Sequence, residues 1–241
     1  MFEKINILNS YFYKCDNKLI KDEINWAYIT AKNKFNFTKD FWPRSCLTRF
    51  FDFFFGDLAK NIVKVFLLSQ NPNLKIIEYD QVRIDNFEKP DEYDLKIGDF
   101  EIEVKSSLEK YTDKLETMLN ERRIIIGLYK PNEPIPDYRV QVFFIPMKLD
   151  NYWDFMQKNK CRCMKYSVHK DFILKKIPAM LDEIDIFIAG WIKKDDESRM
   201  LALKNTGTLR MKNFKRGKSH REYLNFFIKD TRKLDDLVNE F

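Results

Sequence analysis

The chain has 241 residues, 44% hydrophobic and 15% aromatic, which excludes a disordered polymer and is ample to fill a core. Lysine and arginine outnumber aspartate and glutamate by 43 to 37, a net charge of +6 that defines no partner until its distribution is known. The four cysteines (Cys15, Cys46, Cys161, Cys163) form no disulfide framework in a chain this long, and a reducing cytoplasm is expected. No secretory leader is expected, and the most apolar stretch, 50–68, is interrupted by Asp52, Asp57, Lys60 and Lys64, which speaks against a membrane span.

Residues 1–70 read as mainly helical. Leu58, Ile62 and Phe66, with Ala59, Val63 and Leu67, form one apolar stripe at helical spacing, and Asn71-Pro72-Asn73 ends that helix. Gly56-Asp57 is expected at its start, where Asp57 would face the free amides and the helix dipole. Residues 75–84 read as a first strand, 108–121 as a helix, 123–129 as a buried strand, and Pro131, Pro134 and Pro136 as a loop. Ser106 and Ser107 read as turn residues. Two more strands follow at 139–145 and 184–192. Strands with helices before and between them indicate an α/β fold with a mixed central sheet flanked by helices. The simplest organisation is one domain, with a helical N-terminal part (1–70), an α/β core (75–192) and a basic C-terminal part (193–241).

The segment between the first strand and the helix carries the chemistry. Leu95 and Ile97, then Phe100, Ile102 and Val104, alternate with charged residues, the period of a half-buried strand, and Gly98-Asp99 between them suits a two-residue hairpin turn. Counting outward from that turn sets Ile97 against Phe100, Lys96 against Glu101, Leu95 against Ile102 and Asp94 against Glu103. Asp94, Lys96, Glu101, Glu103 and Lys105 then share one face. Two carboxylates opposite each other repel, and a divalent cation between them would offset that repulsion. Hard oxygen donors on a rigid hairpin suit Mg²⁺, with Lys105 in reach of the same place. Glu101 is expected to pair with Lys96.

Asp94, eight residues, then Glu103-Val104-Lys105 resembles the D…(D/E)xK signature of the restriction-endonuclease-like superfamily, written PD-(D/E)XK. The resemblance covers about residues 90–107. It implies a restriction-endonuclease-like core in which Asp94 and Glu103 hold Mg²⁺, with Mn²⁺ able to substitute, while Lys105 orients or activates the attacking water. Pro90-Asp91 makes Asp91 a rival for the first acid, but it stands three positions before Asp94, an odd offset that would turn it to the opposite face of a regular strand. Family members often place a further acid on the helix before the catalytic sheet, and Asp57 occupies that place. It is Asp where Glu is commoner, which favours a water-mediated metal contact.

Charge is segregated along the chain. Residues 91–121 hold ten acids against four lysines, whereas 204–221 hold seven basic residues (Lys204, Arg210, Lys212, Lys215, Arg216, Lys218, Arg221) and no acid, and 158–176 are similarly basic. An acidic metal centre with basic flanks suits an enzyme acting on a polyanion, and Lys212, Lys215, Arg216, Lys218 and Arg221 are the expected DNA contacts. Cys161-Arg162-Cys163 with His169 has poor spacing for tetrahedral zinc, and Gly217-Lys218-Ser219 lacks the upstream glycine of a phosphate loop. Phe41-Trp42-Pro43-Arg44 reads as core. The expectation is therefore a Mg²⁺-dependent endodeoxyribonuclease acting on double-stranded DNA, most like a homodimeric type II restriction enzyme. A repair or structure-selective nuclease, or a non-catalytic DNA-binding or regulatory protein, is the alternative.

Overall fold

The computed structural model describes residues 2–7, 10–16, 21–37, 46–89, 91–108, 123–127, 134–146, 184–205, 212–216 and 219–241. Its main sheet has seven strands: β1 Phe2–Ile7, β2 Ser10–Cys15, β3 Ile76–Glu78, β4 Leu95–Ile97, β5 Phe100–Leu108, β7 Tyr138–Pro146 and β8 Ile184–Lys193. They lie in the order β1-β2-β8-β7-β5-β4-β3. β5 and β7 run parallel, and the other neighbours in this sheet run antiparallel, so the sheet is mixed. A parallel pair needs a long crossover. That crossover contains β6 Arg123–Gly127, and the expected helix at 108–121 falls, beyond Leu108, outside the described residues. β6 does not join the main sheet. It pairs with β10 Ser219–Phe227, which also pairs with β9 Lys212–Arg216.

The core lies between the sheet and helix α2, Cys46–Gln70, with helix α1, Lys21–Phe37, against α2's other side. Leu58, Ala59, Ile62, Val63, Phe66 and Leu67 are wholly buried, the stripe expected from their spacing. Burial extends past that stripe, however, because α2 is covered by two layers: Phe55 meets Phe144 of β7, Phe66 meets Tyr13 of β2, and Phe50 meets Tyr28 of α1, at centroid distances of 4.8, 4.7 and 5.8 Å. A helix covered on most of its circumference is buried even at its charged positions. Each large apolar side chain taken from water contributes roughly 1.5–3 kcal/mol, and that surplus is what allows charges to be carried inside.

Four expectations need correction. The N-terminal region is not helical from its start: β1 and β2 form a hairpin on the sheet, because Tyr13 and Cys15 flank Lys14 at strand period and bury against the core. Asp57 stands in the middle of α2, since the aromatic run Phe50, Phe51, Phe54 and Phe55 is already helical and buried, so no free amides lie near it. The first core strand stops at Glu78. Residues Tyr79–Val82 then turn as the short helix α3, whose Asp80 is drawn into ion pairs. Ser106 and Ser107 continue β5 rather than turning.

After β8, helix α4, Lys194–Asn205, carries Asp195, Asp196 and Glu197 in its first turn, where acids suit the helix dipole. A 3₁₀ turn, Ile228–Asp230, and helix α5, Leu234–Val238, then close over β8. Trp191 donates its indole N–H to the Lys233 carbonyl at 2.6 Å, and Arg232 bridges backbone to backbone with Trp191.

Candidate active site

The β4–β5 hairpin has the register counted from its sequence: Ile97 opposite Phe100, Lys96 opposite Glu101 and Leu95 opposite Ile102. Gly98 lies at φ 58° while Asp99 does not take positive φ, the sign pattern of a type II′ turn. Leu95, Ile97, Ile102 and Val104 are buried, and Lys96 and Glu101 form an ion pair at 3.9 Å on the other face.

Asp94 stands one step before β4. Its carbonyl accepts the Tyr79 N–H at 3.4 Å, and its Oδ2 accepts the Val104 N–H at 2.7 Å, which ties the side chain to the strand beside Glu103. Burial pushes the Asp94 carboxyl above its ordinary range, against Lys60, the Val104 N–H, Lys34 and Lys105, which favour the anion. Glu103 Oε1 pairs with Lys105 and Oε2 with Arg139, the residue in register with it on β7. Arg139 also gives Nε and Nη2 to the two oxygens of Glu197, at 2.7 and 3.2 Å. Burial pushes Glu197 up to about 8 and Arg139 down to about 10, while the two-point contact is the geometry of a guanidinium–carboxylate ion pair. Gln141, in register with Lys105, donates to Ser107 Oγ at 3.3 Å and to the Val142 carbonyl at 2.8 Å.

Beneath the hairpin lies a buried ionic cluster. Lys34 Nζ of α1 sits 2.7 Å from Asp57, 2.9 Å from Asp80 and 3.0 Å from Asp91. Lys60, one turn along α2 from Asp57, pairs with Asp80 and lies 3.5 Å from Asp57 and 4.0 Å from Glu78. Arg83 binds Asp80, Asp85, Asp91 and the Lys89 carbonyl, folding residues 80–91 around its guanidinium. Burial alone would lower Lys34 and Lys60, but the carboxylates around them win and hold both above the usual lysine range. Asp57 is pushed up to about 6 by burial, against the pull of Lys34 and Lys60.

The sequence candidates thus fall into separate places. Asp94, Glu103 and Lys105 come together on the hairpin. Asp57 is held by Lys34 and Lys60 in the buried cluster, with a buried Oδ2 that accepts no hydrogen bond. Asp91 is held by Lys34 and Arg83 instead, and because β4 begins only at Leu95, strand parity does not govern where it points. Lys212, Lys215 and Arg216 lie on β9 and Arg221 on β10, paired strands with Lys215 opposite His220 and Arg216 opposite Ser219. Lys218, like Pro90, Cys161, Cys163 and His169, lies outside the described residues. Sequence reasoning did not single out Lys34, Lys60, Asp80, Arg83, Arg139 or Glu197. The available signal was a cation within an apolar run, at Lys60 in α2 and at Arg139 at the head of β7.

Among the described residues no group of three or more His, Cys, Asp or Glu side chains is placed to hold a metal ion. Mg²⁺ does not require one: it commonly keeps several waters and takes one or two carboxylates plus substrate phosphate oxygens. Asp94 and Glu103 are the hairpin carboxylates, and Asp57 has a buried oxygen without a hydrogen bond. Comparison of the chain with family models, curated proteins and solved structures gave no match. The fold class is α/β with a mixed seven-stranded sheet, and no described helix is long and apolar enough to cross a membrane.

Proposed function

We propose that the protein is a Mg²⁺-dependent DNA endonuclease of the PD-(D/E)XK type, acting on double-stranded DNA. The observation that supports this reading is the hairpin register, Leu95 opposite Ile102, with Asp94 just before β4 accepting the Val104 N–H and Lys105 paired with Glu103. An antiparallel meander, β3-β4-β5, followed by a strand parallel to β5, also agrees with a restriction-endonuclease-like core. Bound Mg²⁺ (or Mn²⁺) would polarise the scissile phosphate and acidify a water ligand. Asp94 and Glu103 would hold it directly, with Asp57 acting through water. Lys105, released from Glu103, would donate to the charge developing on the phosphate or help to deprotonate the attacking water. The basic residues on β9 and β10, with Lys218, would supply phosphate contacts. A homodimeric type II restriction enzyme is the particular form proposed, since a symmetric pair cuts both strands of a symmetric site.

The test is plasmid cleavage. Mg²⁺ or Mn²⁺ should support it, and Ca²⁺ should permit binding with little turnover. Discrete fragments indicate sequence specificity, a smear its absence, and a neighbouring DNA methyltransferase gene would favour restriction over repair. One observation favours a non-catalytic DNA-binding protein instead: Glu103 is already neutralised by Lys105 and Arg139. No cleavage of any DNA form with any divalent ion would select that alternative.

A further inference from the structure

The three-stranded sheet sorts the basic C-terminal residues by face. β9 pairs with β10 so that Lys212 stands opposite Tyr223, Phe214 opposite Arg221 and Arg216 opposite Ser219. Between these pairs, Asn213 stands opposite Glu222 and Lys215 opposite His220. Partners in an antiparallel pair share a face, and successive residues of a strand alternate between faces. One face is therefore assigned Lys212, Phe214, Arg216, Ser219, Arg221 and Tyr223, with three cations, two aromatic residues and no acid. The other is assigned Asn213, Lys215, His220 and Glu222, a set of mixed charge. Sequence alone shows a run of positive charge; the register adds that the aromatic residues fall on its more cationic side.

Covering the first face with an apolar layer would strip water from three cations that have no acid among them, which is costly. An anionic ligand is the covering that the charges favour, and a phosphate backbone is such a ligand. The aromatic residues narrow the choice further. Rings add affinity only where the ligand offers a π-face. In a duplex the base faces are covered by their neighbours, at about 3.4 Å per step along each strand. Phe214 and Tyr223 are diagonal neighbours across the strand pair, a separation of roughly 7–8 Å. Successive bases can reach both rings only when they are drawn apart, which an unpaired strand allows.

We infer that the β9–β10 face binds single-stranded nucleic acid, with a base stacked on each of Phe214 and Tyr223 and the phosphates met by Lys212, Arg216 and Arg221. Lys215, on the other face, takes no part in it. The inference goes beyond the duplex substrate proposed above and needs no metal. Stacking tolerates any sequence because every base has a π-face, and the charge makes the affinity fall with salt. For the nuclease reading it names a substrate with an unpaired stretch beside the duplex.

The experiment is fluorescence anisotropy of the full chain with a labelled oligothymidylate, an oligouridylate of equal length and a duplex, all without divalent ions. Phe214→Ala and Tyr223→Ala should each weaken binding of both single strands about five-fold or more, the scale of one lost stacking contact. Duplex affinity should stay within about two-fold, since a duplex offers these rings no base face. Phe214→Tyr should bind as wild type, and Asn213→Ala, on the other face, should change neither affinity. Lys212→Gln and Arg216→Gln should each flatten the log–log salt dependence of single-strand binding by about 0.7, whereas the alanine variants should leave it unchanged. Thermal melts establish that each variant is folded. Should an alanine variant not fold, Phe214→Trp keeps a ring in place, and its added emission should be quenched by unlabelled oligothymidylate. Three outcomes overturn the inference: single-strand affinity kept within about two-fold in the folded alanine variants, equal losses on single strand and duplex, or emission that the oligonucleotide leaves unchanged. Duplex cleavage without single-strand binding sinks this inference alone. Single-strand binding without cleavage by any divalent ion upholds it and removes the nuclease reading.

Discussion

The hairpin face and the cluster beneath it are built from the same residue types, acids paired with lysine and arginine, yet they sit in opposite dielectric settings. Glu103 and Lys105 each keep close to 30% of their side-chain exposure, whereas Lys60, Asp57, Asp80 and Glu78 keep 2–3%. Water screens the first pair, so its members can exchange one partner for another at small cost. Buried charges have no such freedom, because each removed partner leaves the other uncompensated in a poorly polarisable interior. The part of the site that must bind and release is therefore the wet part, and the dry part fixes where it stands.

The largest expected effect lies on the wet side and concerns activity. Asp94→Ala, Glu103→Ala and Lys105→Ala should each lower plasmid cleavage by about 10²-fold or more, since each removes several kcal/mol of charge stabilisation at the reacting phosphate. Circular dichroism should find the fold intact. Asp91→Ala, which removes a partner of Lys34 and Arg83 rather than a hairpin acid, should be far milder in cleavage. A dead Asp91→Ala beside an active Asp94→Ala would move the first metal ligand to the Pro90-Asp91 pair.

Stability should show the reverse order. Lys60→Met leaves Asp57 and Asp80 short of a buried partner and should cost about 3–5 kcal/mol in urea unfolding. Lys105→Met should cost about 1 kcal/mol or less, the scale of a solvent-screened pair. Equal losses would erase the distinction between the two regions.

A smaller effect is readable in pH. Asp57 titrates near 6 in the folded protein, above its ordinary value of 3.8. A carboxyl raised on folding contributes stability that is fully present below the unfolded pKa and is lost as pH rises through the folded one. Between about pH 4 and 6 the wild type should lose this contribution, while Asp57→Asn, permanently neutral, should not. The melting temperature of the variant relative to wild type should thus improve across that window. A gap that stays constant, or closes in the other direction, would mean that Lys34 and Lys60 dominate burial at this carboxylate.

The smallest effect is expected on the second, three-stranded sheet. Neutralising Lys212, Lys215, Arg216 and Lys218 should weaken DNA binding and flatten its log–log salt dependence, by roughly 0.9 for every phosphate that the variant no longer neutralises. Unchanged affinity and slope would make the segment a solvated surface.

Cross-strand repulsion between Asp94 and Glu103, argued from the sequence as a reason for a metal, has a different resolution in the folded chain. Glu103 is taken up by Lys105 and Arg139, and Asp94 by the Val104 N–H with Lys60 nearby. Removal of either acid therefore breaks an ion pair or a hydrogen bond as well as relieving repulsion, and a gain in metal-free stability is not the expected outcome.

The hairpin was legible because its information is local: a period of two, a Gly-Asp turn, and register that follows by counting. The α2 stripe and the strands near 139–145 and 184–192 were legible for the same reason, since apolar periodicity reports a face that must be covered. What covers that face is not local. Nothing in the spacing of Tyr13 and Cys15 showed that the N-terminal segment would pair with β8 some 170 residues later. Nor could spacing reveal that α2 would be enclosed by α1 as well as by the sheet, and so bury Asp57 and Lys60. The links Lys34–Asp57–Asp80 and Glu103–Arg139–Glu197 join residues distant in the chain, on different elements. Their pairing was decided by tertiary structure, because only packing removes the water that would otherwise have served as each charge's partner.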